Sequence, residues 1–120
     1  YITNGTYLGI IKEMLEKEVA EELQPLKARV VEMVKLYEQA LDYVKQAQDQ
    51  EVQDFLARRL YNMTGDIVMS LLILEDATRS AELFSKSANV YVRMAQAEVT
   101  AEHVYIMNFV KEDLPSFRAE

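Results

Sequence analysis

One hundred and twenty residues, half of them apolar and with a formal net charge of −7, make one domain, large enough to bury roughly two-thirds of its unfolded surface. The negative balance speaks against nucleic acid, whose phosphates need a positive footprint, and against docking on anionic lipid. The absence of cysteine excludes disulfides, thiolate metal sites and cysteine nucleophiles and suits a reducing cytoplasm; with only two prolines and three glycines, long stretches are free to be helical.

The chain opens on an apolar pair and a turn-like TNGT, with no Met, as though cut from something longer, and the expectation is an excised domain. Tyr1 to Lys12 lacks the basic start and apolar run of a signal peptide. A short first helix is predicted from Tyr1 to about Lys17, capped by Asn4 or Thr6, with Tyr7, Ile10, Ile11, Met14 and Leu15 on one side. Gly9 and the small apolar surface make this helix marginal alone. It is expected to lean on the bundle or on a neighbour, leaving an apolar strip through which the isolated chain self-associates. Glu16 to Glu22 reads either as more helix or as a connection.

Pro25 marks the second start, since a first helical turn loses nothing to the missing N–H. Leu26, Val30, Met33, Tyr37, Leu41 and Val44 follow in steps of three and four, a narrow seam over roughly 35 Å of helix. Ala47 to Gln50 reads as a turn, with Asp49 capping the next helix.

That helix, about Glu51 to Thr78, is the one the rest of the chain is organised around. Val52, Leu56, Leu60, Met63 and Ile67 mark one face, and Ile67 to Leu74 is apolar on nearly every side, interrupted only by Ser70. Such a stretch is expected to be buried on several sides. At eight residues, closed by Asp66 and by Glu75 and Asp76, it is too short to span a membrane. Thr78 or Ser80 is expected to cap a last helix, about Ala81 to Lys111, that buries Phe84, Ala88, Tyr91, Ala95, Val99, Ile106 and Phe109. Ala88, Ala95, Ala97 and Ala101 let a neighbour approach closely, and Pro115 stops the run. The fold class is therefore all-α: an up-down bundle of three long helices plus a shorter N-terminal one.

Candidates for chemistry are few. Helical bundles hold di-metal sites with Glu-x-x-His pairs, but the single histidine, His103, has Thr100 three residues before it. Glu98 and Glu102, four apart, read as a solvated face, and His103 as a surface or half-buried residue rather than a base. No Gly-x-Ser-x-Gly elbow and no glycine-rich phosphate loop occur. Arg58 and Arg59 could clamp a phosphate or carboxylate, although Asp54 offers Arg58 an ordinary helix-surface pair. Arg59, Asn62, Asp66 and Ser70 form a polar stripe beside Gly65. It reads as a solvent stripe with a glycine where another backbone comes close, or else as a surface made to meet a partner. No catalytic, cofactor-binding or metal-ligating residue is assigned. Asn4 and Asn62 begin N-x-T patterns that read as chance.

From end to end the chain resembles the C-terminal extension of the longer bacterial acyl-CoA dehydrogenases. The resemblance rests on YITNGTYLGII, QPLKARV, DFLARRLYNMTGDIVMSLLILEDAT, AELFSKSANVYVRMAQAEV and FVKEDLPSFR. It implies a parent flavoenzyme of fatty acid metabolism that uses FAD to remove hydrogens from Cα and Cβ of an acyl-CoA thioester. The family's catalytic glutamate lies in a Tyr-Glu-Gly-Thr motif that does not occur here, so no catalytic or flavin-binding residue carries over to this sequence. By this resemblance residues 1–17 are the last helix of the dehydrogenase core or the link from it, and residues 22–120 the helical domain. The expected role is non-catalytic: supporting assembly or covering the core, with the core or further copies of the chain as partners, in the cytoplasm, without nucleic acid, membrane or metal. On its own the chain is expected to bind neither FAD nor acyl-CoA. The alternative is a free-standing helical interaction module.

Overall fold

A computed structural model describes residues 6–47 and 49–109, with side chains from residue 8 onward. Among them are four α-helices, α1 (Thr6–Leu15), α2 (Gln24–Gln46), α3 (Gln50–Arg79) and α4 (Ala81–Met107), one 3₁₀ turn (Glu21–Leu23) and no strand. This is the up-down bundle that the periodicity predicts. Asn4, Tyr7's side chain and Pro115 lie outside the described residues.

Local chemistry sets most of the boundaries. Pro25 sits in the first turn of α2, and the seam from Leu26 to Val44 is buried along its whole length. Asp49 is extended (φ −133°, ψ 112°), and its Oδ1 accepts from the amides of Glu51 (3.0 Å) and Val52 (3.2 Å), which caps α3 as expected. The stretch after α1 is a connection: Glu16 and Lys17 close the helix with turn bonds, and Leu23 plugs the core from the 3₁₀ turn. α4 ends at Met107, short of Lys111, because Asn108 leaves the helix (φ −106°, ψ 3°) and its Nδ2 donates to the Val104 carbonyl. Phe109 then folds back against Phe55, ring centroids 5.2 Å apart, and Tyr43 Oη donates to the Phe109 carbonyl at 3.0 Å.

Neither expected cap of α4 works through its side chain. Ser80 alone separates α3 from α4, but its hydroxyl makes no capping bond; its carbonyl takes the Leu83 and Phe84 amides. Thr78 lies inside α3, donates to the Leu74 carbonyl and accepts from the Ala20 amide at 3.2 Å. It therefore clamps the α1–α2 connection to the end of α3.

α3 packs against every other element. Its core face (Leu56, Leu60, Met63, Ile67, Leu74) meets Val30, Met33, Tyr37 and Leu41 of α2 and Ala88, Val92, Ala95, Val99 and Ile106 of α4. Each large apolar side chain fully buried there contributes about 1.5–3 kcal/mol. α1 lies against α2 and α3, with Ile11 fully buried and Leu8, Met14 and Leu15 packed on the core. The marginal first helix thus leans on the bundle, and among its described side chains the apolar strip is exposed at Ile10, 48%.

The molecule measures 50 × 27 × 17 Å. Among the described residues, α3 and α4 each keep an outward side with exposed residues. Ile67 to Leu74, expected to be buried on several sides, has Ile67, Ser70, Leu71 and Leu74 buried and Val68 and Ile73 half-buried, with one side left open at Met69 and Leu72, 51% and 41% exposed. The reading of Phe84 as buried is corrected: that residue is 37% exposed. Of the four alanines, Ala88 and Ala95 face the core, and Ala97 and Ala101 are exposed.

Candidate functional site: the groove between α3 and α4

The free sides of α3 and α4 bound an open groove of about 630 Å³. Its walls are Tyr61 and Met69 from α3 and Tyr91 from α4, while Gly65 and Ala101 keep it wide. A Cβ built on Gly65 meets nothing within 4 Å, so no backbone approaches this glycine from within the chain. Three carboxylates line the same groove: Asp66 on α3, and Glu98 and Glu102 on α4.

These carboxylates share too little positive charge. Arg59 Nη1 donates to Glu102 Oε1 at 2.9 Å, and the guanidinium stands 3.6 Å from the centre of the Tyr105 ring. Glu102 Oε2 is shut away from solvent without a hydrogen-bond partner. Burial, a hydrogen bond with Glu98 and the charges of Glu98 and Glu102 together push the Asp66 carboxyl up to about 7. Burial and the nearby Asp66 and Glu98 also raise the Tyr91 phenol above its ordinary value. Near neutrality, then, Asp66 retains a proton for part of the time because burial and the neighbouring carboxyl groups disfavour its charge.

The polar stripe read from the sequence is split by this geometry. Asn62 and Gly65 are exposed, Arg59 and Asp66 are half-buried under α4, and Ser70 is fully buried with its Oγ unpartnered. The solvent-stripe reading fails because α4 packs over one edge of the row. Glu102, read as solvated, keeps only 17% of its side chain exposed. Arg58 forms no ion pair with Asp54, whose Oδ1 accepts from Gln50 Nε2 instead; the arginine that pairs is its neighbour Arg59. His103 is half-buried, with Nε2 2.9 Å from Gln39 Oε1 across the α2–α4 interface. Among the described residues no group of three or more His, Cys, Asp or Glu is arranged to hold a metal ion, and no helix is long and apolar enough to cross a membrane.

Most of the exposed large apolar side chains lie on α3 and α4, and two of them, Tyr61 and Met69, line the groove. α3 contributes Tyr61, Met69 and Leu72; α4 contributes Leu83, Phe84, Val90, Met94, Val104 and Met107, with Val90 68% exposed. Outside these two helices, Ile10 alone among the described large apolar residues is so exposed. On α4, positions 83, 90, 94, 97, 101 and 104 repeat in steps of three, four and seven, a second apolar row on the side of the helix away from the core-facing one. That signal is present in the sequence but merges with the core stripe when the helix is read as one broad face.

The family model for the acyl-CoA dehydrogenase C terminal matches residues 3–114. The chain belongs to this family. The C-terminal domain is also similar to the crystal structure of the acyl-CoA dehydrogenase family protein from Porphyromonas gingivalis, with 38% identity and a TM-score of 0.84 over 91% of this chain and 94% of that one. No curated protein matches the chain.

Proposed function

We propose that this C-terminal domain is a non-catalytic part of an FAD-dependent acyl-CoA dehydrogenase, supporting assembly or covering the catalytic core, and that it docks through its α3–α4 face. One observation carries the reading: nearly all the exposed large apolar side chains lie on the two helices that border one groove. Apolar surface concentrated in this way marks a contact rather than a solvated face. Residues 1–17 serve as the link from the core and residues 22–120 as the bundle. α1 lies against α2 and α3, and among the described residues no further element packs over the groove, which suits docking there by the core or a neighbouring subunit. The setting is the cytoplasm.

The groove does not fit the flavin cofactor or the acyl-CoA substrate. Both carry phosphates, which need amide nests or unpaired cations. The groove offers three carboxylates, and its bordering guanidinium is already committed to Glu102 and Tyr105. Chemistry on the thioester therefore belongs to the core.

Truncating the parent near Glu21 tests the reading. The shortened enzyme is expected to retain flavin and its catalytic glutamate but to lose assembly, stability or substrate selectivity. A truncated enzyme that assembles fully yet is chemically dead places a catalytic residue inside this chain and overturns the reading.

A further inference from the structure

We propose that a second copy of this chain covers the outer side of α4, the two α4 helices running parallel in a two-fold coiled-coil contact. This rests on the docking reading and names the occupant of one part of that face.

α4 is patterned on two opposite sides. Ala88, Val92, Ala95, Val99 and Ile106 face the core. Leu83, Val90, Met94, Ala97, Ala101 and Val104 are exposed on the side turned away, Leu83 and Val90 by 73% and 68%. The second row follows the first two residues later, a rotation of about 200° around the helix. From Val90 to Val104 its steps are four, three, four and three, and Leu83 lies one heptad before Val90. A sustained seven-residue repeat is the pattern a helix presents to a second helix that runs along it. Ala97 and Ala101, at the middle of the row, let that helix come close.

Charge complementarity chooses the occupant and its direction. Lys86, Arg93 and Thr100 border the row on one side, and Tyr91, Glu98 and Tyr105 border it on the other. In a parallel pair each residue of the first border meets the residue about five positions later on the second border of its partner. Lys86 then stands against Tyr91 of the second copy and Arg93 against Glu98 of the second copy, each pairing occurring twice by symmetry. A cation over a phenol ring and an ion pair of opposite sign both favour the contact. An antiparallel pair sets like border against like border, and Arg93 and Glu98 then find no opposite charge across it. One chain thus carries both halves of each pairing, as a two-fold contact requires. Lys86 and Arg93 are exposed, and among the described residues neither pairs with a carboxylate of its own chain. The borders hold two cations and one carboxylate, so the chain's net charge of −7 is not concentrated at this contact.

The chain has no cysteine, so single introduced cysteines report the contact by disulfide formation. Val90→Cys and Val104→Cys should each link to a copy of itself at least tenfold faster than Asp42→Cys, on the exposed side of α2. In sedimentation equilibrium Arg93→Glu should weaken the dimer at least tenfold, and Arg93→Glu combined with Glu98→Arg should restore it. Circular dichroism checks that each variant keeps its helices. Linkage that appears only when the Val90→Cys and Val104→Cys chains are mixed shows antiparallel helices and overturns the proposal. Failure of the double reversal to restore the dimer overturns it as well. A chain that stays monomeric over a hundredfold range of concentration, with all three cysteines linking equally slowly, overturns the self-contact. The parent enzyme carrying Val90→Glu and Met94→Glu then decides the docking reading separately.

Discussion

Arg59 of α3 and Glu102 of α4 meet at 2.9 Å across the helix interface, with the guanidinium 3.6 Å from the centre of the Tyr105 ring. The contact is 43 residues apart in sequence, and it ties the groove wall of α4 to α3. Arg59→Ala leaves a largely buried carboxylate without its partner and removes the stacking on Tyr105. Because Arg59 remains about one-third exposed, the expected loss is about 1.5–3 kcal/mol rather than that of a fully buried pair. Arg59→Lys keeps the charge but not the stacked plane and should lose less. Urea unfolding of the three proteins measures both differences.

Asp66 gives stability a pH dependence of known sign. Its folded value of about 7 lies above the ordinary aspartate value of 3.8, so the folded state holds the proton more tightly than the unfolded chain. The contribution is fully present below about pH 4 and is lost as pH rises through 7. Asp66→Asn should remove this loss, leaving the variant more stable than the parent at pH 8 and with a flatter profile between pH 5 and 8. Denaturant midpoints at several pH values check it; identical slopes for the two proteins contradict the assignment.

Gly65 should behave as an exposed helix glycine in the isolated chain. Nothing lies within 4 Å of an added Cβ, so Gly65→Ala is expected to stabilise by a few tenths to about 1 kcal/mol. Thermal melts of the two proteins check the sign; a destabilised Gly65→Ala contradicts it.

Tyr43 closes the open end of the bundle. Its hydroxyl donates to the Phe109 carbonyl just beyond α4, where Phe109 stacks on Phe55. Tyr43→Phe should cost about 0.5–1.5 kcal/mol, the usual net worth of one hydrogen bond. Faster amide exchange around Ile106 to Phe109 should accompany the loss.

The backbone plan was legible because it depends on local rules. The seam of α2, the Asp49 cap and the core side of α3 follow from spacing and capping chemistry, and each lies where those rules place it. The groove was less legible, since it depends on how α4 rotates against α3. Spacing puts Arg59, Asp66 and Ser70 on one edge, but only packing shows that α4 covers that edge, half-burying Asp66 and burying Ser70. The continuous apolar run from Ile67 to Leu74 points to burial on several sides, and Ile67, Ser70, Leu71 and Leu74 are buried; which side stays open, at Met69 and Leu72, depends on where α2 and α4 pack.

The docking role is tested most directly by placing charges on the exposed seam without disturbing the core. Val90→Glu and Met94→Glu together alter residues that are 68% and 51% exposed, so the isolated domain should melt within about 0.5 kcal/mol of the parent. In the acyl-CoA dehydrogenase that carries the domain, sedimentation velocity should then show lost assembly or a displaced, extended domain. A doubly substituted enzyme that sediments as the parent does, at equal stability, contradicts docking through α3 and α4.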